Sequence, residues 1–303
     1  MMRSFFLYMS ESQSWRDRVS RWKLSRRFAR RFIAGETLDE ALAAVQRLND
    51  AGIMATLDFL GENVRNRDEA LEAAAAYRAI LTAIRDHGLQ SNISVKLTQL
   101  GLDLDPRFCQ ENLLRLVDFA ADCGLDIEVD MEASAYTEAT LDIVCAVRER
   151  NARVGVAIQA YLRRSEADVR RMIERSIKVR LVKGAYREPP EIAYQKKREV
   201  NQNFDHLMRM LFDSGQYHAI ATHDPARIEA ARRYARSIGR ASDSFEFQML
   251  YGIRRDLQTM LVREGYRMRV YVPYGTHWYP YFMRRLAERP ANVLFILRHL
   301  FRS

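Results

Sequence analysis

The chain has 303 residues, 48% of them hydrophobic, with only 13 Gly and 7 Pro, so it can bury a large core and is neither a disordered nor a collagen-like polymer. Its three cysteines, Cys109, Cys123 and Cys145, are odd in number and form no CxxC pair, which points away from a disulfide framework or a zinc site and fits a reducing cytoplasm. The net charge of +9 brings nucleic acid and anionic membranes into view, but residues 1–34 hold nine Lys+Arg against Glu11 and Asp17, a net of +7, leaving +2 for residues 35–303.

The apolar opening at 5–9 is too short for a signal-peptide core, and no stretch reaches the roughly eighteen apolar residues of a membrane span. The Arg/Ser-rich composition of the arm is shared with organellar transit peptides, an alternative that stays open. Helical spacing covers 15–33 and 37–51, the second opening on Thr37-Leu38-Asp39-Glu40, a capping box. From there short β-branched runs alternate with helical stretches. The runs are 53–59, 92–97, 126–130, 153–159, 178–183, 217–222, 244–249 and 268–272. The helical stretches are 67–86, 110–123, 137–151, 166–175, 194–213, 225–239 and 253–264, and after the eighth run 279–288 and 293–301.

Eight strands alternating with helices predict an α/β fold of the (β/α)₈ TIM-like barrel type, with N-terminal helices before it and a helix after strand eight. An open doubly wound sheet is the competing architecture, and no GxGxxG or Walker loop supports it. No low-complexity linker divides residues 35–303, so one catalytic domain follows a basic arm at 1–34.

Strand alternation sorts the side chains chemically. Ile93, Val95 and Leu97 oppose Ser94 and Lys96; Ile127 and Val129 oppose Glu128 and Asp130; Val179 and Leu181 oppose Arg180, with Lys183 at the strand's end. Phe245, Phe247 and Met249 oppose Glu246 and Gln248, and Met268, Val270 and Val272 oppose Arg269 and Tyr271. The inward set is therefore polar and of both signs, where most barrels carry branched apolar side chains. The blander account of these charges is an ion-pair network around the barrel axis. Lys96 and Asp130 should pair, keeping Lys96 protonated and a poor Schiff-base nucleophile, while Lys183 keeps a lyase reading alive. The six histidines form no metal cluster, and His223 at the end of strand six suits a structural hydrogen bond better than catalysis. On the helix after strand eight, adjacent Arg284 and Arg285, with Glu288 in reach of either, suit a small carboxylate or phosphate.

From about Phe32 to Arg302 the sequence resembles the proline dehydrogenase family. The resemblance rests on Ser94-Val95-Lys96-Leu97, Asp130-Met131-Glu132, Ile158-Gln159-Ala160-Tyr161, Arg180 through Tyr186, Ala221-Thr222-His223, Glu246 through Leu250, Tyr271 through Gly275, and the helix Tyr281 through Glu288. It implies FAD, oxidation of L-proline to Δ1-pyrroline-5-carboxylate in proline catabolism, and re-oxidation of the flavin by a membrane quinone. By motif it assigns Asp130 and Tyr186 to the catalytic pocket. Lys96, Leu250, Tyr271, Arg284, Arg285 and Glu288 go to the substrate, the arginines clamping its carboxylate. Met131, Gln159, Arg180, Lys183, Gly184, Ala185, Thr222, His223 and Gln248 go to FAD. Arg187 departs from the family pattern, since bifunctional members carry an aromatic there.

A quinone substrate gives the arm a role: a cytoplasmic enzyme meeting the inner face of a membrane through residues 1–34. Two other readings compete with the oxidoreductase, a Schiff-base lyase on the same barrel and a non-catalytic binder of RNA or membrane. Nucleic acid is not expected once the barrel itself is nearly neutral.

Overall fold

The computed structural model describes residues 30–61 and 64–288, with side chains through Met283. Within them, α1 (Leu38–Asp50) leads into β1 (Met54–Phe59), α2 (Arg67–Asp86), β2 (Ser91–Val95), α3 (Pro106–Asp122), β3 (Ile127–Val129) and α4 (Ser134–Arg148). The chain continues through β4 (Val154–Gln159), α5 (Ser165–Glu174), β5 (Lys178–Val182), α6 (Lys197–Asp213), β6 (Ala219–Ala221), α7 (Pro225–Ser237), β7 (Glu246–Leu250), α8 (Arg255–Arg263), β8 (Arg267–Tyr274) and α9 (Trp278–Glu288). All eight strands are parallel, and β8 closes on β1 with Thr56 opposite Tyr271, so the open-sheet alternative is excluded.

Each strand meets the helices with the apolar face that alternation assigns. Ile93, Val95, Ile127, Val129, Val156, Val179, Leu181, Phe247, Val270 and Val272 are all buried in one continuous core. The opposite faces turn inward, and there Glu128, Arg180, Glu246 and Gln248 are buried polar groups. Local chemistry sets the helix ends. The capping box is present: Glu40 N–H donates to Thr37 Oγ1, and the Glu40 carboxylate accepts from Thr37 N–H. Helix α3 begins four residues before its apolar periodicity, because Asp105 caps it and Pro106 occupies its first turn. Helix α6 begins later than its pattern, because the preceding chain is held by the Leu162–Ala193 bridge.

The helix expected at 15–33 falls mostly outside the described residues, as does that at 293–301. Its described end is a turn rather than helix, since Phe32 and Ile33 pack against α9 and Ala34 N–H donates to Pro273 O at 2.9 Å. Trp278, Tyr279 and Phe282 of α9 join Phe32, Ile33 and Leu60 in a second apolar cluster, and Trp278 Nε1–H donates to Glu36. This cluster seats α9 beside the C-terminal end of β1.

Candidate active site

A cavity of about 690 Å³ opens at the C-terminal ends of the strands, the end at which barrel sites are built. Every sequence-derived candidate whose side chain is described lines it: Lys96, Asp130, Met131, Gln159, Arg180, Lys183, Gly184, Ala185, Tyr186, Thr222, His223, Gln248, Leu250 and Tyr271. Arg284, Arg285 and Glu288 lie on α9, but their side chains fall outside the described residues.

Asp130 sits at the centre of the polar wall. It accepts from Ser94 Oγ at 2.6 Å, Arg180 Nη1 at 2.6 Å, Tyr271 Oη at 2.6 Å and Lys96 Nζ at 3.3 Å. Burial opposes its charge, but Lys96, Arg180 and these hydrogen bonds outweigh burial and hold the carboxyl below its ordinary range. Such a carboxylate is a weak base. Lys96 pairs as expected with Asp130, yet its nearer partner is Asp58 on β1, at 2.8 Å. Burial again opposes the charge, and Asp58, Tyr271 and Asp130 together raise the ammonium well above the usual lysine range. A lysine so held is not a Schiff-base nucleophile at neutral pH. Lys183 donates to Asp224 at 2.8 Å and Asn201 at 2.7 Å at the rim.

Deeper in the barrel the ion-pair network exists in full. Arg180 bridges Glu128 and Asp130, Lys178 bridges Glu128 at 2.7 Å and Glu246 at 3.0 Å, and Arg269 pairs with Glu246 at 3.1 Å. Arg180 therefore serves both readings, as a member of this network and as a wall of the pocket, with its guanidinium over the Tyr271 ring. His223 Nε2 accepts from Leu250 N–H at 2.9 Å, tying the ends of β6 and β7 together in the structural role expected of it.

The sequence reasoning missed Asp58, Asp224 and Arg254, which also line the cavity. Asp58 follows the same alternation as the other inward residues and was open to the same reasoning. Asp224 precedes Pro225 at a helix start, a capping signal, and it does cap α7 through Ala226 N–H while holding Lys183. Arg254 carries no sequence signal: its left-handed backbone, φ 53°, and its pairing with Asp256 emerge only in three dimensions.

The proline dehydrogenase family profile matches residues 41–298, nearly the whole barrel and α9. This chain belongs to the proline dehydrogenase family. It is 40% identical to proline dehydrogenase 1 of Bacillus subtilis (strain 168) over 303 residues, the full length of both chains. It is 39% identical to the proline dehydrogenase of Deinococcus radiodurans over 291 residues, 94% of this chain and 93% of that one. Among solved structures, the proline utilization A protein of Bdellovibrio bacteriovorus inactivated by N-propargylglycine superposes with a TM-score of 0.82 at 27% identity. That match covers 86% of this chain and 32% of the larger protein, so the proline dehydrogenase chain here spans about a third of it.

Proposed function

We propose that this chain oxidises L-proline to Δ1-pyrroline-5-carboxylate, with FAD as hydride acceptor and a membrane quinone as the acceptor beyond it. The observation that carries the reading is the convergence of Lys96, Asp130, Arg180 and Tyr271 on one cavity in a chain of this family.

The lining suits FAD. Gly184 lines the cavity with φ +113°, and a Cβ there would meet the Tyr161 ring at 2.1 Å, so the packing of Tyr161 keeps this point of the lining bare backbone. Arg180 Nε is buried without a hydrogen-bond partner among the described residues, and Gln159, Gln248 and Thr222 add hydrogen-bonding side chains. In this reading Met131, Gln159, Arg180, Lys183, Gly184, Ala185, Thr222, His223 and Gln248 hold the cofactor. Bound there, FAD would supply the hydride acceptor.

The residues of the chain supply orientation and charge. Arg284 and Arg285 would clamp the proline carboxylate, with Glu288 ordering one of them. Lys96, Leu250, Tyr186 and Tyr271 fix the ring so that the carbon losing hydride is presented in one geometry. Arg180 and Lys183 are preorganised cations for the negative charge that arrives with the hydride. Asp130, saturated with donors, holds Lys96, Arg180 and Tyr271 in register rather than moving a proton itself.

The visible spectrum of the purified protein tests the reading. A flavin band should be present and should bleach on addition of L-proline under anaerobic conditions; a correctly folded, colourless protein would sink it. Among the described residues no helix is long and apolar enough to cross a membrane. Contact with the bilayer is assigned to the basic residues 1–34, most of which lie outside the described residues. Deleting them should abolish co-sedimentation with anionic liposomes, and undiminished co-sedimentation would defeat that assignment.

A further inference from the structure

Four cations, Lys96, Lys178, Arg180 and Arg269, meet four carboxylates, Asp58, Glu128, Asp130 and Glu246, in the barrel interior. Three of the carboxylates are bonded at both oxygens. Asp130 receives the donors described above, Glu128 receives Lys178 and Arg180, and Glu246 receives Lys178, Arg269, Tyr217 and Gln248. Asp58 differs. Its Oδ1 accepts from Lys96 at 2.8 Å, but its Oδ2 is buried with no hydrogen-bond partner among the described residues, although the residue lines the cavity. The hydroxyl of Tyr271 faces Asp58 as well as Asp130, but its single proton goes to Asp130 Oδ2 at 2.6 Å.

The groups facing Asp58 are Lys96 from the end of β2, Asp130 from the end of β3, Tyr271 and Tyr274 from β8, and Tyr77 from α2. Only one of them is a cation. Burial pushes the Asp58 carboxyl up, Lys96 pulls it down, and the neighbouring Asp130 charge adds to the upward push. The net direction is upward, while Asp130 is held down. Two carboxylates that share one ammonium are thus driven apart. All three tyrosines are raised, first by burial, and stay protonated.

We propose that Asp58 takes up the proton released by the substrate's secondary ammonium, so that the charge of the departing hydride enters a pocket whose own charge has risen by one. This rests on the proline-oxidising reading above. The balance closes: zwitterionic proline loses a proton from nitrogen and a hydride from the adjacent carbon, and the product forms as the protonated imine. The N–H bond breaks and an O–H bond forms on Asp58, while the C–H pair leaves as hydride to FAD. Lys96 lies between, passing one proton to Asp58 as it takes another, and remains an ammonium. Asp58 acts through Lys96 as a positioning and proton-holding residue.

The experiment is the two-electron midpoint potential of the FAD-loaded protein as a function of pH, without substrate, the proton then coming from solvent. Each proton taken up with two electrons adds about 30 mV per tenfold change in proton concentration. The wild-type slope should exceed that of Asp58→Asn by this amount, and Asp58→Glu should restore it. Equal slopes in wild type and Asp58→Asn would overturn the proposal. The uptake is also readable without a variant, as a carboxylic-acid carbonyl band that appears in the reduced-minus-oxidised infrared difference spectrum; absence of that band overturns it too. A colourless wild-type protein would instead remove the FAD reading, so the two failures are distinct.

Discussion

Glu128 sits two residues before Asp130 on β3, beneath the cavity and outside its lining. Arg180 and Lys178 share its carboxylate, and Gln248 Nε2 approaches it at 3.4 Å. Burial opposes its charge, but Arg180, Lys178 and Arg269 overcome burial and hold the carboxyl far below the ordinary range. Glu128→Gln would leave the Arg180 and Lys178 charges under-compensated in a buried site, and removing one partner of a buried pair costs about 3–5 kcal/mol. We expect a loss of that size in urea unfolding. The double variant Glu128→Gln/Lys178→Met should recover part of it, because one orphaned cation goes with the carboxylate. A single variant as stable as wild type would show the network to be incidental.

At the level of elements, much was legible because two periodicities differ so plainly. The pattern at 67–86 coincides with α2, and every apolar strand face lies where alternation sends it. What failed is instructive. Strands β2, β3 and β6 end one or two residues short of their apolar runs, although Asp130 N–H still donates to Val95 O at 2.9 Å and Thr222 N–H to Gln248 O at 3.1 Å just past the strand ends. Asp58 obeys the same alternation, but it stands on β1, which carries none of the motifs that mark the other inward residues. The side chains of Arg284 and Arg285 lie beyond what the structure describes. Contacts between segments distant in sequence are not legible at all, and Gly252 is one. It follows β7 with φ +73°, and a Cβ there would fall 1.8 Å from the Arg31 carbonyl oxygen. Backbone cannot yield as a side-chain tip can, and a non-glycine residue in this region costs about 1 kcal/mol or more even without a clash. Gly252→Ala should therefore destabilise by about 2 kcal/mol or more, and should speed proteolysis in the segment 30–34 ahead of global unfolding. Unchanged cleavage there would mean that the approach of Arg31 to this turn is not maintained in solution.

The whole molecule joins these local facts through pH. A barrel that buries Glu128, Asp130 and Glu246 against cations loses stability as these carboxylates are protonated, and among the described residues one buried histidine adds a second, earlier dependence. His218 precedes β6 and is fully buried; its Nδ1 accepts from Val179 N–H at 3.1 Å, and its Nε2 lies 3.2 Å from Ser214 Oγ. Protonation at Nδ1 would turn this acceptor into a donor aimed at another donor. Burial first, then the charges of Arg240 and Lys178, lower its pKa to about 3. The unfolded chain binds this proton near pH 6.5 and the folded one does not until about 3, so stability falls as pH drops through that interval, by up to about 1.4 kcal/mol per pH unit. The carboxylates come later. Glu246 is lowered from 4.5 to about 2, burial being outweighed by Arg269 and Lys178, so its contribution is complete above about 4.5 and is lost only below it. Acid unfolding should thus begin on a shallow limb below about pH 6.5, owed to His218, and steepen below about 4.5 as the barrel carboxylates join. His218→Gln, which cannot take up a proton, should flatten the first limb and leave the second intact, whatever it costs in stability at neutral pH. Urea midpoints measured at pH steps across both intervals would separate the two. If the variant and the wild type fall in parallel between 6.5 and 4.5, His218 is protonated in the folded protein, and the strand end at Val179 must open to admit it.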